Sequence, residues 1–193
     1  DVVHKHGGVY IADEVQPGFG RTGSHMWGYQ RHGINPDLVV MGKPMGNGLP
    51  IAAVVARPEL LADFGRKVRY FNTFAGNPVC IAAAQAVLNE IQNKNLMENS
   101  HLLGDYLLNG FRVIAENYTQ IGDVRGAGLY HAIEFVKDPD TKEPDTGLTR
   151  KVVSELRERR ILISTTGKGE NSLKIRPLLT LDRKSTRLNY SHI

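Results

Sequence analysis

Residues 38–56 read LVVMGKPMGNGLPIAAVVA, two short apolar runs around a loop of glycines, prolines and one lysine. Apolar runs of this length bounded by turn formers read as buried strands. A third run, VYIAD at 9–13, lies upstream and closes on an acid. Between them GFGRTGSHMWGYQRHGINPD is too rich in turn residues to be one helix. A short helix is predicted at 58–64, opened by Pro58. Three apolar strands with this punctuation predict the interior of a large α/β sheet, buried on both faces.

Downstream, Asn77 and Pro78 form a helix start, asparagine as cap and proline at the first helical position. The helix they open carries Ala83, Val87 and Ile91 on one face. A second helix is predicted from the stripe Leu103, Leu107, Phe111 and Ile114. Then come a strand at 129–136, a polar loop DPDTKEPDTG, a helix at 148–160 and strands at 161–164 and 173–176. This is a smaller α/β module, and no internal repeat is visible. At the other end, residues 1–6 read as the end of a helix running through Gly7 and Gly8 into the first strand, so the chain reads as a fragment.

With 193 residues, 41% hydrophobic and 23% charged, the composition is that of an ordinary soluble globular chain. No run approaches the roughly 20 apolar residues of a membrane span, and no signal layout opens the sequence. Residues 182–193, DRKSTRLNYSHI, lose all hydrophobic periodicity and resemble one translated frame of a sequencing adapter, so they read as a non-native tail. That stretch carries three of the 24 Lys and Arg and one of the 20 Asp and Glu, so without it the net charge falls from +4 to +2. The remaining basic residues form no stripe interleaved with aromatics, which argues against nucleic-acid binding. The single cysteine, Cys80, sits in an apolar helical pattern and suits a reducing compartment, the cytoplasm or an organelle matrix. No histidine pair has metal-ligand spacing with an acidic third ligand, so no metal is assigned.

The chemistry rests on a few residues. Asp13 closes an apolar strand, where a carboxylate needs a partner: a salt bridge, a cap, or the protonated nitrogen of a pyridine ring. Lys43 follows the second strand among small residues and prolines. Desolvation there would lower its amine pKa and leave a neutral nucleophile able to form an imine, whereas a solvated loop would leave it an ordinary lysine. Thr73, in YFNTFAGNP just ahead of the capped helix, offers a hydroxyl and loop amides either to an anion such as a phosphate or to a simple turn. The glycines of GFGRTG fit a dinucleotide fingerprint, but no apolar helical period opens behind them, so a dinucleotide-binding oxidoreductase is only a distant alternative.

In order and spacing, IADEVQPGFGRTG, a tryptophan, PD, GKPMGNGLP, FNTFAGNP and GDVRGAGL resemble the class III pyridoxal-phosphate-dependent aminotransferases. The resemblance covers about residues 1–181. It implies an α/β fold-type I transferase, with 1–95 the C-terminal part of the large cofactor-binding domain and 96–181 an incomplete small domain. It also implies an aminotransferase moving an amino group between an amine or amino acid and an oxo acid, with pyridoxal 5'-phosphate as cofactor. Lys43 would form the Schiff base, Asp13 would bind the pyridine nitrogen, Val15 would pack on the ring and Gln16 would approach the ring hydroxyl. Thr73 would contact the cofactor phosphate of a neighbouring subunit, making the active site shared across a homodimer.

One departure bears on substrate. In SLKIRPLL, Lys174 stands where many members of the family carry the arginine that grips the substrate carboxylate, and Arg176 follows two residues later. A lysine is a point charge and lacks the bidentate fork. This position, with GKPMGNGLP, is more similar to the branch containing alanine-glyoxylate aminotransferases and phosphoethanolamine phospho-lyases. That similarity leaves a phospho-lyase acting on a phosphorylated amine as the alternative reaction.

Overall fold

Strand β1 (Ile11–Asp13) pairs in parallel with β2 (Leu38–Met41), and β2 pairs antiparallel with β3 (Ala53–Ala56). The computed structural model describes residues 2–184, which divide after residue 97 into two units. In the first unit a short helix, α1 (Val2–Lys5), precedes β1, and Gly7 takes a φ of 69° in the turn between them. One carboxylate ties these pieces together. Asp37 accepts the Tyr10 backbone N–H at 2.8 Å and pairs with His4 Nε2 at 2.7 Å and Arg57 Nε at 3.2 Å. The Tyr10 N–H and then the His4 ring hold its carboxyl below the usual aspartate value.

All three expected strands form, but their burial differs from the expectation. Ile11, Val54 and Val55 are 55%, 57% and 58% exposed. The reason lies in what packs nearby: α2 (Pro58–Lys67) buries none of its residues, so it does not cover this sheet. Helix α2 runs past the predicted Phe64, and in this last turn Asp63 pairs with Arg66 at 2.5 Å and Lys67 at 2.9 Å. Helix α3 (Pro78–Asn93) starts as the sequence predicts. The Asn77 side chain accepts the backbone N–H groups of Val79 at 3.0 Å and Cys80 at 3.3 Å, and Ile91 is buried on the expected face.

Helix α4 (Leu96–Ala115) leads into the second unit. There β4 (Ile121–Ala127), β5 (Tyr130–Phe135), α5 (Thr146–Glu158), β6 (Ser164–Thr166) and β7 (Ser172–Ile175) build an antiparallel sheet of order β4-β5-β7-β6. Ile133, Phe135 and Leu173 form its core. Phe111, Val124, Leu148, Val152 and Leu156 pack against them, each fully buried side chain of this kind being worth about 1.5–3 kcal/mol. The predicted α4 stripe is buried at Leu103 and half-buried at Leu107 and Phe111, while Ile114 stays 37% exposed.

Strand β4 is not in the sequence expectation, because IGDVRGA carries two glycines and two charges and lacks a strand pattern. Its pairing with β5 creates it, and Arg125 secures it by bridging Asp123 and Glu134, both at 2.6 Å. On the core face of β5, His131 is 2% exposed and meets the Phe111 ring edge-on at 5.7 Å. Burial pushes its imidazole down to about 4, with Asp105 opposing weakly. Asn99 closes the unit by donating to the carbonyls of Leu179 at 2.7 Å and Leu181 at 3.0 Å. Beyond them the Arg183 guanidinium lies 5.1 Å from the Tyr106 ring centroid. The rest of the tail read as non-native, from residue 185 onward, lies outside the described residues. Among the described residues no helix is long and apolar enough to cross a membrane.

Candidate active site at the ends of β1 and β2

Parallel strands place their carboxyl ends on one edge, and in open α/β sheets that edge is where ligands bind. Asp13 is the last residue of β1 and stands opposite Val40 of β2, and Lys43 follows the end of β2 after a single glycine. The two residues read as chemical from the sequence therefore end adjacent strands. Asp13 is exposed, and its Oδ1 accepts the Val15 N–H at 3.0 Å. Among the described residues no cation pairs with Asp13 and no carboxylate pairs with Lys43.

The loop that presents Lys43 is a series of tight turns. Backbone N–H groups of Met45, Asn47 and Leu49 donate to the carbonyls of Gly42, Pro44 and Gly46 at 2.6, 3.3 and 3.1 Å. Only glycine fits at 46, where a Cβ would lie 2.3 Å from the Leu49 carbonyl oxygen. The enclosure expected from these small residues does not arise, for Lys43 is exposed. The turns hold the backbone and leave Lys43 at the surface.

After β1 the chain makes turns rather than a helix. Val15 and Gln16 are half-buried, while Phe19, Gly20 and Gly23 take φ of 61°, 74° and 79°. No helix opens at GFGRTG, so the geometry of a dinucleotide fingerprint is missing. Phe19 instead packs edge-on against Trp27 with ring centroids 5.0 Å apart, and a Cβ at Gly18 would meet that indole at 3.0 Å.

Sequence reasoning missed the part played by Glu14. It is 2% exposed, and its two carboxylate oxygens accept the backbone N–H groups of Gly28 at 2.7 Å and Tyr29 at 2.8 Å. These amides open a 3-10 helix at Gly28–His32, where a carboxylate is favoured. Strand alternation was the available signal: neighbours at the end of a strand face opposite sides, so of two adjacent acids one turns inward.

Thr73 lies on a different segment, exposed in the loop before α3. There the Asn72 side chain accepts the Phe74 N–H at 3.0 Å and the Ala75 N–H donates to the Asn72 carbonyl at 3.2 Å. Lys174 lies in the second unit. It is half-buried in β7 between Ala132 and Ser164, on the face opposite the core residue Leu173, and Arg176 follows the strand, exposed. Among the described residues no cluster of His, Cys, Asp and Glu could hold a metal ion.

Residues 1–192 match the family described as aminotransferase class-III. The human mitochondrial alanine--glyoxylate aminotransferase 2 is 46% identical over 82% of this chain and 30% of its own length. An ethanolamine-phosphate phospho-lyase homolog of Caenorhabditis elegans is 43% identical over 95% of this chain and 40% of its own. Among solved structures, a phospholyase from Arthrobacter in complex with phosphoethanolamine superposes with a TM-score of 0.91 at 46% identity, over 97% of this chain and 44% of that one. The chain thus spans less than half the length of each of these relatives. The mixed α/β architecture is that of part of a fold-type I domain, and the chain belongs to the class III aminotransferases.

Proposed function

We propose that this chain carries the cofactor-holding lysine and aspartate of an aminotransferase that moves an amino group between a small amine or amino acid and an oxo acid. Family membership implies pyridoxal 5'-phosphate as the cofactor. The observation that carries the reading is the placement of Asp13 and Lys43 at the carboxyl ends of adjacent parallel strands, both exposed and, among the described residues, neither in an ion pair. A carboxylate at such a strand end suits a group that brings its own positive charge, and an amine beside it suits one that brings an aldehyde.

The cofactor, when bound, supplies an electron sink for the carbon that loses its proton. Asp13 keeps the ring nitrogen protonated through its carboxylate. Lys43 would hold the cofactor through Nζ and would carry the proton at that atom. Val15 packs on the ring and Gln16 reaches its hydroxyl. Thr73 serves the phosphate of a second copy of the chain in a homodimer. In support, Tyr70, Phe71 and Phe74 around Thr73 are 67%, 78% and 81% exposed, an apolar surface of the kind another subunit covers. Residues 1–95 are assigned to the cofactor domain and 96–181 to the small domain, and Lys174 and Arg176 are proposed to bind the substrate acid group. The lone thiol Cys80 fits the cytoplasm or another reducing compartment.

A phospho-lyase acting on a phosphorylated amine is the second reading. It is favoured by the Arthrobacter likeness and by a lysine at 174, since a point charge serves an acid group other than a planar carboxylate. Full-length protein loaded with cofactor separates the two. Amino transfer from alanine to glyoxylate supports the first, phosphate release from phosphoethanolamine supports the second, and neither product from a cofactor-binding protein contradicts both.

A further inference from the structure

We propose that Glu14 is a positioning residue for the cofactor site, fixing where Asp13 and the segment after it lie relative to the end of β2. The proposal rests on the reading of Asp13 and Lys43 given above. Glu14 makes four hydrogen bonds, all to backbone. Its N–H donates to the Val40 carbonyl at 2.8 Å, extending the ladder one residue beyond Asp13, and its carbonyl accepts the Gly18 N–H at 3.2 Å. Its carboxylate takes the Gly28 and Tyr29 amides at 2.7 and 2.8 Å.

One buried acid therefore joins the end of β1, the neighbouring strand, the turn at Gly18 and the start of the Gly28–His32 helix. The packing at the junction leaves little freedom. A Cβ at Gly28 would meet Pro17 Cβ at 2.7 Å, and a Cβ at Gly18 would meet the Glu14 carbonyl oxygen at 2.7 Å. Asp13, Val15 and Gln16 are the residues this junction holds. Both carboxylate oxygens are needed, because a glutamine would set an NH2 donor against one of two N–H donors.

Asp37 provides a matched control. It too is a buried acid that accepts a backbone N–H, yet it sits at the opposite end of the same strand pair, away from Asp13. Glu14→Gln and Asp37→Asn should both lower the unfolding midpoint. Only Glu14→Gln should move the pH midpoint of the bound cofactor's visible band and weaken cofactor retention by about tenfold, the low end of what losing an orienting partner costs at a liganded centre. The experiment compares the two variants of the full-length protein by absorbance titration and by cofactor release on dialysis. Equal behaviour of the two variants, or an unmoved band in folded Glu14→Gln, overturns the proposal. If Glu14→Gln does not fold, Glu14→Asp, one methylene shorter, is read against the same criteria. A wild-type protein that takes up no cofactor overturns the underlying reading instead, so the two failures are told apart.

Discussion

Asp13 stands opposite Val40 in the parallel pairing of β1 with β2, so its carboxylate ends one strand while Lys43 leaves the end of the next. Neither side chain is neutralised by a neighbour among the described residues. The adjacent Glu14 is treated in the opposite way, buried and bonded to two amides. Of two successive acids, one is committed to the loop and the other is left available.

The buried imidazole of His131 makes stability depend on pH. Its folded value is pushed down to about 4, below the ordinary value of 6.5, so between these the unfolded chain binds the extra proton. Stability contributed by keeping it neutral is present above pH 6.5 and is lost as pH falls towards 4. From pH 7 to pH 5 the loss should be on the order of 2 kcal/mol. Urea unfolding at both pH values should show it, and His131→Leu should remove that part of the slope. An unchanged slope in His131→Leu would refute the assignment.

Two glycines of α4 should respond oppositely to alanine. A Cβ at Gly104 would lie 2.2 Å from the Gly128 carbonyl oxygen, whereas Gly110 has nothing within 4 Å. Gly104→Ala should destabilise by about 1–3 kcal/mol or more, and Gly110→Ala should stabilise by up to about 1 kcal/mol through helix propensity. Thermal unfolding of both variants decides. Equal midpoints would mean that α4 does not approach the β4–β5 turn as described.

Lys174→Arg tests how the acid group of the substrate is read. Restoring a bidentate fork should raise kcat/KM for α-amino acids roughly tenfold, about 1.4 kcal/mol. No change in kcat/KM would remove Lys174 from substrate recognition.

Where local rules suffice, the fold is legible in the sequence. Asn77 and Pro78 announce α3 because a cap and a fixed φ act within one turn, and 38–41 announces β2 because apolar residues crowd it. Long-range effects are less legible. Strand β4 depends on its pairing with β5 and on the Arg125 bridges, and Asp37 gains its role only when Tyr10, from a distant stretch, arrives beside it. The exposure of Val54, Val55 and Lys43 was not expected, because an apolar or small-residue run says that cover is wanted and not which residues provide it. The site residues came chiefly from the ordered set of motifs. Asp13 or Lys43 alone would equally suit a salt bridge or a solvated loop.

The most direct test of the central claim is borohydride reduction of the full-length protein loaded with pyridoxal phosphate, followed by mapping of the modified peptide. The account predicts a pyridoxyl group on Lys43 and none on Lys174. An unmodified Lys43 in a protein that has bound the cofactor would contradict it.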